Sequence, residues 1–404
     1  MKMKIHNGTL YWPSTYYKKL FTTPEIKPFY DVIIVGGGMS GLLAAAELQK
    51  DGHSIAILEQ KEAVKGSTSA NTGLLQWTND IMLHELINQI GVEKAVRFHI
   101  LCKEAITKLE TLASTMEDHG DFIRRPSIMF ASKKGDVKKL EKEYDALQKH
   151  GFAAEFWNDH LIKQKMKIDA PAALKTFQDA EINPFKFGVQ LLEQLVEKGV
   201  HLFEQTYVNI IEEQGDFITI HSQNKIFKTK KIVYTTGYQP VPFGKIAGAN
   251  VNRSYAIVTH PIPHFEGWHE HAMLWETARP YFYIRRTVDD RIIVGGLDES
   301  KSKAPKEANI EEHAEQLLEM AKHLFPQYTL TIDAMYGASF GESKDNLPFI
   351  GEHPEHPNHY YLLGYGGNGT VCSMLGATIL ADLIANRKNE DAEIVTIDRK
   401  YGAK

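Results

Sequence analysis

Three glycines near the amino terminus have the spacing of a turn that binds a dinucleotide. Gly36, Gly38 and Gly41 directly follow the apolar segment Asp-Val-Ile-Ile-Val. In this spacing the first glycine permits a tight turn, the second lets the backbone approach a pyrophosphate, and the third lets a helix pack against the strand. The start of that helix, at Met39 and Ser40, would present N–H groups and a positive dipole end to the phosphates.

An acidic residue completes this motif. Glu59 stands at the end of a second apolar segment, 18 residues after Gly41, and Gln60 follows it. At this place a carboxylate can accept hydrogen bonds from ribose hydroxyls. A glycine turn in some other α/β protein is the alternative, but the order of strand, turn, helix, strand and acid favours a dinucleotide.

A second glycine-rich turn lies near the other terminus. Residues 364–370 read Gly-Tyr-Gly-Gly-Asn-Gly-Thr, between an apolar strand and a long apolar helix. The start of this helix also offers N–H groups to an electron-rich ligand. A flavin has a pyrophosphate end and a ring end that gains charge on reduction, so two such turns predict FAD more than a nicotinamide cofactor. A purely structural turn is the alternative. The candidate cofactor residues here are Gly364, Gly366, Gly367, Asn368, Gly369 and Thr370.

Length and composition are those of a soluble two-domain protein. The chain has 404 residues, 43% hydrophobic and 24% charged, with a net charge of −5 that argues against a nucleic-acid surface. Two distant cysteines, Cys102 and Cys372, are typical of a reducing compartment. No apolar run has the length of a membrane span or a signal peptide, so we expect a cytoplasmic protein with no integral membrane segment.

The coarse secondary structure indicates an α/β protein with interleaved domains. We expect an amphipathic helix after the first glycine turn, a helical region over 81–117, and an antiparallel sheet from 255 to 296. A run of aromatic residues before residue 22 predicts an arm that packs on the body. The predicted domains are a discontinuous FAD-binding domain of residues 1–80, 155–245 and 335–404, and a substrate domain of residues 81–154 and 246–334.

The combined motifs resemble the D-amino-acid oxidase and glycine oxidase family of FAD-dependent oxidoreductases. Besides the two glycine turns, the resemblance rests on residues 66–74, 235–237, 281–285, 291–296 and 345–351. It implies a Rossmann-like FAD-binding domain of the glutathione-reductase type and a smaller substrate domain built on an antiparallel sheet. The aromatic arm and the segment Val258–Ile262 resemble the branch that contains γ-glutamylputrescine oxidase.

The same resemblance implies further contacts with the cofactor. Sarcosine oxidase relatives attach FAD to a cysteine near residue 338, where this chain has Ala338, so we expect non-covalent FAD. Small residues after the acid are expected to lie along the ribityl chain and ring, because the backbone must approach them closely. The residues implied are Ser67, Thr68, Ser69, Asn71, Thr72, Gly73, Leu74, Val208, Thr236 and Gly237.

The substrate prediction depends on the segment Tyr-Phe-Tyr-Ile-Arg at 281–285. It resembles the family's tyrosine-x-x-x-arginine strand, which implies that Arg285 holds a substrate carboxylate through two hydrogen bonds. Strand alternation places Tyr281, Tyr283 and Arg285 on one face. The alternative is a shift of one residue, in which Arg286 points inward.

We therefore expect an enzyme that oxidises the C–N bond of an amino acid or an N-substituted amino acid. Hydride would pass to flavin N5, giving an imine and then a carbonyl compound. Oxygen, yielding hydrogen peroxide, or an unknown acceptor would take the electrons. Three alternatives stay open at this stage: a γ-glutamylputrescine-like polyamine substrate, a flavin-binding protein without turnover, and an NAD-dependent dehydrogenase.

Other polar residues are weaker candidates for chemistry. His260 and Glu276 are expected to be structural or to stand behind the site. Two groups of histidines lie in loops without accompanying cysteines, which is more typical of solvated loops than of a metal site. These groups are His264, His269 and His271, and His353, His356 and His359.

Overall fold

The computed structural model describes residues 5–223, 225–237 and 249–399. Within these ranges the strands form two sheets, and we call them the parallel-centred sheet and the mixed sheet. The parallel-centred sheet has eight strands in the described residues. In spatial order they are Phe349–Glu352, His359–Leu363, Lys225–Tyr234, Tyr30–Val35, Ile55–Leu58 and His201–Phe203. Phe217–Ser222 also pairs with Lys225–Tyr234, and Ile210–Gln214 pairs with Phe217–Ser222.

The centre of this sheet is parallel because helical segments connect its strands. Tyr30–Val35 pairs in parallel with both Lys225–Tyr234 and Ile55–Leu58, and its residues Val32, Ile33 and Ile34 are fully buried. A strand buried on both faces reads as a continuous apolar run, as this one does. The carboxyl end of the strand leads directly into the first glycine turn.

The mixed sheet has ten strands in the described residues. Its spatial order is His6–Gly8, Ile332–Ser343, Ala249–Thr259, Ile292–Glu299, Phe282–Arg286, Met273–Glu276, Ile123–Phe130, Ala172–Glu181 and Leu74–Leu75, with Ala154–Asn158 beside Ala172–Glu181. Its pairings are antiparallel, except that Met273–Glu276 runs parallel to Ile123–Phe130. The antiparallel sheet expected from 255 to 296 is therefore confirmed, since the parallel partner lies outside that range.

The α-helices cover the faces and edges of the two sheets. Met39–Gln49, called the first motif helix, and Gly369–Ile384, called the second motif helix, pack against each other. The other α-helices of the described residues are Ser67–Ala70, Leu83–Ile90, Val92–Ala113, Val137–Lys149, Asp159–Met166, Pro184–Glu197, Glu307–Leu324 and Ala392–Val395.

Two of the expected helices differ from the sequence reading. The first motif helix is not amphipathic: Gly41 to Leu48 are all buried, because the second motif helix and the Pro184–Glu197 helix pack against it. The helical region over 81–117 is two helices that meet at Gly91, whose φ of +88° ends the first of them. Such a φ suits glycine and cannot continue an α-helix.

Two long strands were not expected from the sequence, Ala172–Glu181 and Ile332–Ser343. Both belong to the mixed sheet, although all of Ala172–Glu181 and most of Ile332–Ser343 fall in ranges that we assigned to the FAD-binding domain. The proposed division into two domains stays a prediction, and part of its boundary near residue 245 lies outside the described residues.

The aromatic arm packs on the body as expected. Tyr11 and Trp12 are buried, whereas Tyr17 is 76% exposed. The Trp12 indole N–H donates to the carbonyl of Asn71 over 2.7 Å, so the arm lies against the segment that follows Glu59.

Candidate active site

One large cavity brings the two glycine turns together. Its volume is about 840 Å³, and residues of both sheets and both motif helices line it. The hydroxyls of Ser40, in the first motif helix, and Ser373, in the second, are hydrogen-bonded over 2.8 Å. The starts of the two helices therefore meet at one wall of the cavity, as the sequence predicted.

The first turn has the close packing that its glycines predict. Gly36 has a φ of +117°, and a Cβ there would lie 2.5 Å from the carbonyl oxygen of Thr235. A Cβ on Gly41 would overlap the carbonyl oxygen of Gly36. Gly41 thus does not line the cavity but lets the helix approach the strand, while Gly38, Met39 and Ser40 form part of the lining.

Glu59 is held in place by backbone groups on both sides. One of its oxygens accepts from the N–H of Gly37 over 2.9 Å and the other from the N–H of Lys61 over 2.8 Å. Burial nevertheless raises the pKa of this carboxyl. Each oxygen keeps a second lone pair, so Glu59 can still accept from a ligand hydroxyl in the cavity that it lines together with Gln60.

The small residues after Glu59 divide between the cavity and its support. The side-chain oxygen of Thr68 accepts from the N–H of Met39 over 2.9 Å, which ties this segment to the first motif helix. Ser69 and Gly73 do not line the cavity; the Ser69 hydroxyl donates to the carbonyl of Gly66 over 2.8 Å. The predicted cofactor residues that line the cavity here are Ser67, Thr68, Asn71, Thr72 and Leu74.

The second turn is arranged around Asp80. The N–H of Gly367 donates to Oδ2 of Asp80 over 3.0 Å, and the Asn368 side chain donates to the carbonyl of Gln76 over 2.5 Å. Gly364 does not line the cavity, and a Cβ there would lie 2.6 Å from the ring of Phe349. The predicted residues of this turn that do line it are Gly366, Gly367, Asn368, Gly369 and Thr370.

The donors and acceptors of the cavity fit an FAD molecule. Val208, Thr236 and Gly237 line it beside the first turn, as the resemblance implied. The hydroxyl oxygens of Thr78 and Thr236 are buried in the lining without a hydrogen-bond partner. Buried polar groups are nearly always paired, so these two hydroxyls call for a polar ligand. FAD can pair them through its phosphates, ribityl hydroxyls or ring.

Arg285 does not reach the cavity, contrary to the predicted contact with a substrate carboxylate. Its guanidinium donates to the carbonyls of Thr72 over 2.6 Å and Ile182 over 2.7 Å, and lies 3.4 Å from a carboxylate oxygen of Glu181. The ring of Trp12 lies 5.1 Å away. Strand alternation gave the correct face, but other chain segments fill the space in front of this side chain.

Arg286 does not supply the missing cation either. It points to the opposite face of the strand, where it is paired with Asp290 and lies 2.8 Å from a ring nitrogen of His271. Neither arginine is therefore among the residues that line the cavity. The shift of one residue that the sequence left open is not observed.

Tyr281 and Tyr283 do line the cavity and form an aromatic wall with Trp275. The ring of Tyr281 lies 6.3 Å from Trp275 and 5.9 Å from Tyr283, measured between centroids. The Tyr281 hydroxyl donates to Oδ1 of Asp80 over 3.1 Å. Burial raises the pKa of both tyrosines, that of Tyr283 to about 12, so both hydroxyls are protonated at neutral pH.

Beside the aromatic wall, sequence reasoning missed two acidic residues of the lining, Asp80 and Asp298. Burial, together with the charges of Asp80 and Glu342, raises the pKa of Asp298 to about 6. One carboxylate oxygen of Asp298 is buried without a hydrogen-bond partner. Isolated acids in Thr-Asn-Asp and Leu-Asp-Glu carry no motif, and only their position at the end of a strand or turn could have signalled them.

Ala338, at the position where relatives attach FAD to a cysteine, is in the lining, whereas Cys102 and Cys372 are buried outside it. This placement agrees with FAD bound without a thioether link. The other sequence candidates also lie outside the lining. His260 is exposed, and Glu276 accepts from the hydroxyl of Ser132 over 2.7 Å. In the part of the chain that the structure describes, no group of histidine, cysteine and acidic side chains has the geometry of a metal site.

A family model described as FAD dependent oxidoreductase (DAO) matches residues 31–383. The chain belongs to this family. FAD is accordingly its cofactor, and the protein is an oxidoreductase. The match spans both glycine turns and both motif helices, and it confirms the family that the motifs indicated. Among the described residues, no helix is long and apolar enough to cross a membrane.

Individual relatives are distant but cover most of the chain. Glycine oxidase of Geobacillus kaustophilus is 23% identical, over 89% of this chain and 94% of the relative. Gamma-glutamylputrescine oxidoreductase of Escherichia coli is 23% identical, over 95% of this chain and 90% of the relative. The putative Rieske 2Fe-2S iron-sulfur protein YhfW of Bacillus subtilis is 24% identical, over 96% of this chain and 76% of the relative.

Solved structures share the fold. The crystal structure of glycine oxidase from Geobacillus kaustophilus superposes with a TM-score of 0.79 at 20% identity, covering 93% of this chain and all of that one. An L-proline dehydrogenase from P. horikoshii reaches a TM-score of 0.72 at 19% identity. The expected fold class, a Rossmann-like α/β FAD-binding fold with a second sheet, is thereby confirmed.

Proposed function

We propose that this protein oxidises the C–N bond of a small amine with FAD as the acceptor of hydride. One observation carries the proposal: the starts of both motif helices and the aromatic wall face a single cavity. The helix starts suit the phosphates and the charge-gaining ring of FAD, and the aromatic wall leaves an apolar compartment beside them for an organic substrate.

Different residues of the chain would bind the cofactor and position the substrate in such a reaction. Bound FAD supplies the two-electron acceptor that takes hydride from the carbon next to the nitrogen. Gly38, Met39 and Ser40 would hold its pyrophosphate, Glu59 its ribose, and Gly369 and Thr370 the ring end. Trp275 and Tyr283 would exclude water and orient the C–H bond, because hydride transfer depends on close and fixed alignment.

No side chain of the aromatic wall is required as a general base. A neutral amine carries the lone pair that expels hydride, so the site need only accept the deprotonated form. The products are an imine and, after addition of water, a carbonyl compound and an amine or ammonia. Whether oxygen or another acceptor then receives the electrons decides between an oxidase, which releases hydrogen peroxide, and a dehydrogenase.

The test compares substrates of the two kinds for which relatives are named. Glycine oxidases are named for an amine, glycine. A glycerol 3-phosphate dehydrogenase of Caloramator mitchellensis, 26% identical over 52% of this chain, is named for an alcohol phosphate. The yellow holoprotein is mixed without oxygen with amino acids, N-methyl amino acids, polyamines and glycerol 3-phosphate. We expect the visible absorbance to bleach with one of the amine classes and not with glycerol 3-phosphate.

The readmission of air to the bleached sample then separates an oxidase from a dehydrogenase, through the peroxide formed. The proposed amine oxidation would be refuted if no amine in the panel bleached the flavin. Bleaching by glycerol 3-phosphate would then indicate oxidation of an alcohol phosphate, and retention of the colour with every compound would indicate a flavin-binding protein without turnover.

A further inference from the structure

The charges around the aromatic wall are those of a site for a cation. Asp298 and Asp80 both line the cavity there, and Glu342 lies close enough to raise the pKa of Asp298. Arg279 opposes this effect on Asp298 but is not among the residues that line the cavity. This end of the cavity thus carries a net negative charge, and one oxygen of Asp298 is buried with no partner.

The cations of the lining belong to the opposite end. Its lysines, Lys61 and Lys65, follow Glu59 beside the first glycine turn, and His6 contacts the carbonyl of Lys65. No arginine occurs in the lining formed by the described residues. Arg285, the residue expected to hold a carboxylate, is used by backbone carbonyls and Glu181 instead.

The aromatic wall also favours a cation over an anion at this end of the cavity. Trp275, Tyr281 and Tyr283 line the same end of the cavity as Asp298. Aromatic rings attract cations through their quadrupole, and a carboxylate attracts a cation and repels an anion. The Arg279 guanidinium lies 4.6 Å from the centroid of the Tyr281 ring and donates to the carbonyl of Asp80, but Arg279 does not belong to the lining. A ligand carboxylate in the cavity would therefore be placed against two acidic side chains.

We propose that the substrate end of the cavity recognises a positively charged nitrogen of a diamine or polyamine through Asp298 and the aromatic wall, while the reacting nitrogen is a different one and is neutral. The substrate class is an aliphatic diamine or polyamine without a carboxylate on the reacting carbon, not an α-amino acid. This inference rests on the proposed amine oxidation, which it narrows. Asp80 is a positioning residue here, because its carboxylate already accepts from Tyr281 and Gly367.

Binding can be measured without turnover by two probes of nearly equal shape. Propyltrimethylammonium and N,N,N-trimethylglycine share a quaternary nitrogen that has no lone pair to expel hydride, and they differ in the carboxylate. Each is titrated into the holoprotein, and its dissociation constant is read from the change in the FAD absorption spectrum. We expect propyltrimethylammonium to bind more tightly by about tenfold or more, since one unpaired carboxylate is at stake.

Asp298→Asn is expected to weaken the binding of propyltrimethylammonium by about tenfold. The ratio between the dissociation constants of the two probes should become smaller as a result. Glu342→Gln is the matched control, because it removes a nearby carboxylate that does not line the cavity, and it should change either constant by less than about threefold. FAD content and thermal melting of both variants show that they are folded.

Equal or tighter binding of trimethylglycine, or an unchanged affinity in Asp298→Asn, would overturn the inference, as would failure of both probes to bind. A loss of trimethylglycine binding in Arg279→Met would then identify Arg279 as the group that holds a carboxylate. Failure of amine oxidation itself is distinguishable, since the holoprotein would show the same binding preference while no amine bleached its colour.

Discussion

Individual residues of this site differ in how far the sequence could predict them. Gly36, Gly38 and Glu59 were predictable because their roles depend on neighbours within one strand–turn–helix unit. The contacts of Arg285 were not, since Glu181 ends and Ile182 follows a strand that has no clear sequence pattern. Asp298 was missed because the burial and the charged neighbours that set it apart come from residues distant in the sequence, which only the fold brings together.

Asp298 should make the protein less stable as the pH rises. Its pKa in the folded chain, about 6, exceeds the usual value of 3.8, so the folded state binds this proton more tightly than the unfolded state. The free energy of unfolding therefore falls between these two pH values, and the loss persists above them. Asp298→Asn should raise the free energy of unfolding by about 1–2 kcal/mol near pH 8.

Urea unfolding of the protein and the variant near pH 8 and near pH 5 checks this expectation. The gain should shrink at the lower pH, where Asp298 is largely protonated. The other groups that face this carboxyl are Asp80 and Glu342, which raise its pKa, and Ser254 and Arg279, which lower it. A variant that is no more stable near pH 8 would show that the carboxyl ionises without cost.

At the scale of elements, local patterns predicted most helices and strands but not their partners. The helix after the first glycine turn and the strands between residues 255 and 296 lie where the turn residues and apolar spacing put them. The first motif helix is buried on all sides because a helix from the other end of the chain covers its outer face. Such long-range packing is not encoded in the periodicity of either helix alone.

The strand Phe282–Arg286 should support the segment after Glu59 through Arg285. Arg285→Met removes the donors to Thr72 and Ile182 and leaves Glu181 with Arg125 as its ion-pair partner. We expect the free energy of unfolding to fall by about 3 kcal/mol and FAD to bind more weakly. Arg286→Met on the other face of the strand is the matched control and should cost about 1 kcal/mol or less.

Urea unfolding and titration of the apoproteins with FAD measure both effects. If the Arg285→Met variant kept its stability and its FAD but no longer oxidised amino acids, Arg285 would bind the substrate carboxylate, as expected from the sequence.

At the scale of the whole molecule, the cavity joins the two sheets and both termini of the described chain. Its lining extends from Ile5 to Ser373. The convergence of two glycine turns was predictable because a flavin needs both, whereas the charge at the substrate end was not. That charge depends on Asp298 in the mixed sheet and on Asp80 in the loop before the Leu83–Ile90 helix, which no single segment contains.

Removal of FAD should lower the stability of the whole protein. A ligand that binds only the folded state stabilises it in proportion to the logarithm of its concentration, by about 2.7 kcal/mol at a hundred times the dissociation constant. The melting temperature of the apoprotein should therefore rise steadily as FAD is added, while NAD should have little effect. A melting temperature that is insensitive to FAD would contradict the placement of the cofactor in this cavity.

The hydrogen bond between Ser40 and Ser373 has a consequence for synthesis. The two residues are separated by 333 positions, so the first motif helix is synthesised long before the second can pack against it. During that interval the nascent chain carries only one of the two glycine turns. We therefore expect the flavin to be captured only after the second motif helix has left the ribosome, and the apolar residues of the first motif helix to remain partly uncovered until then.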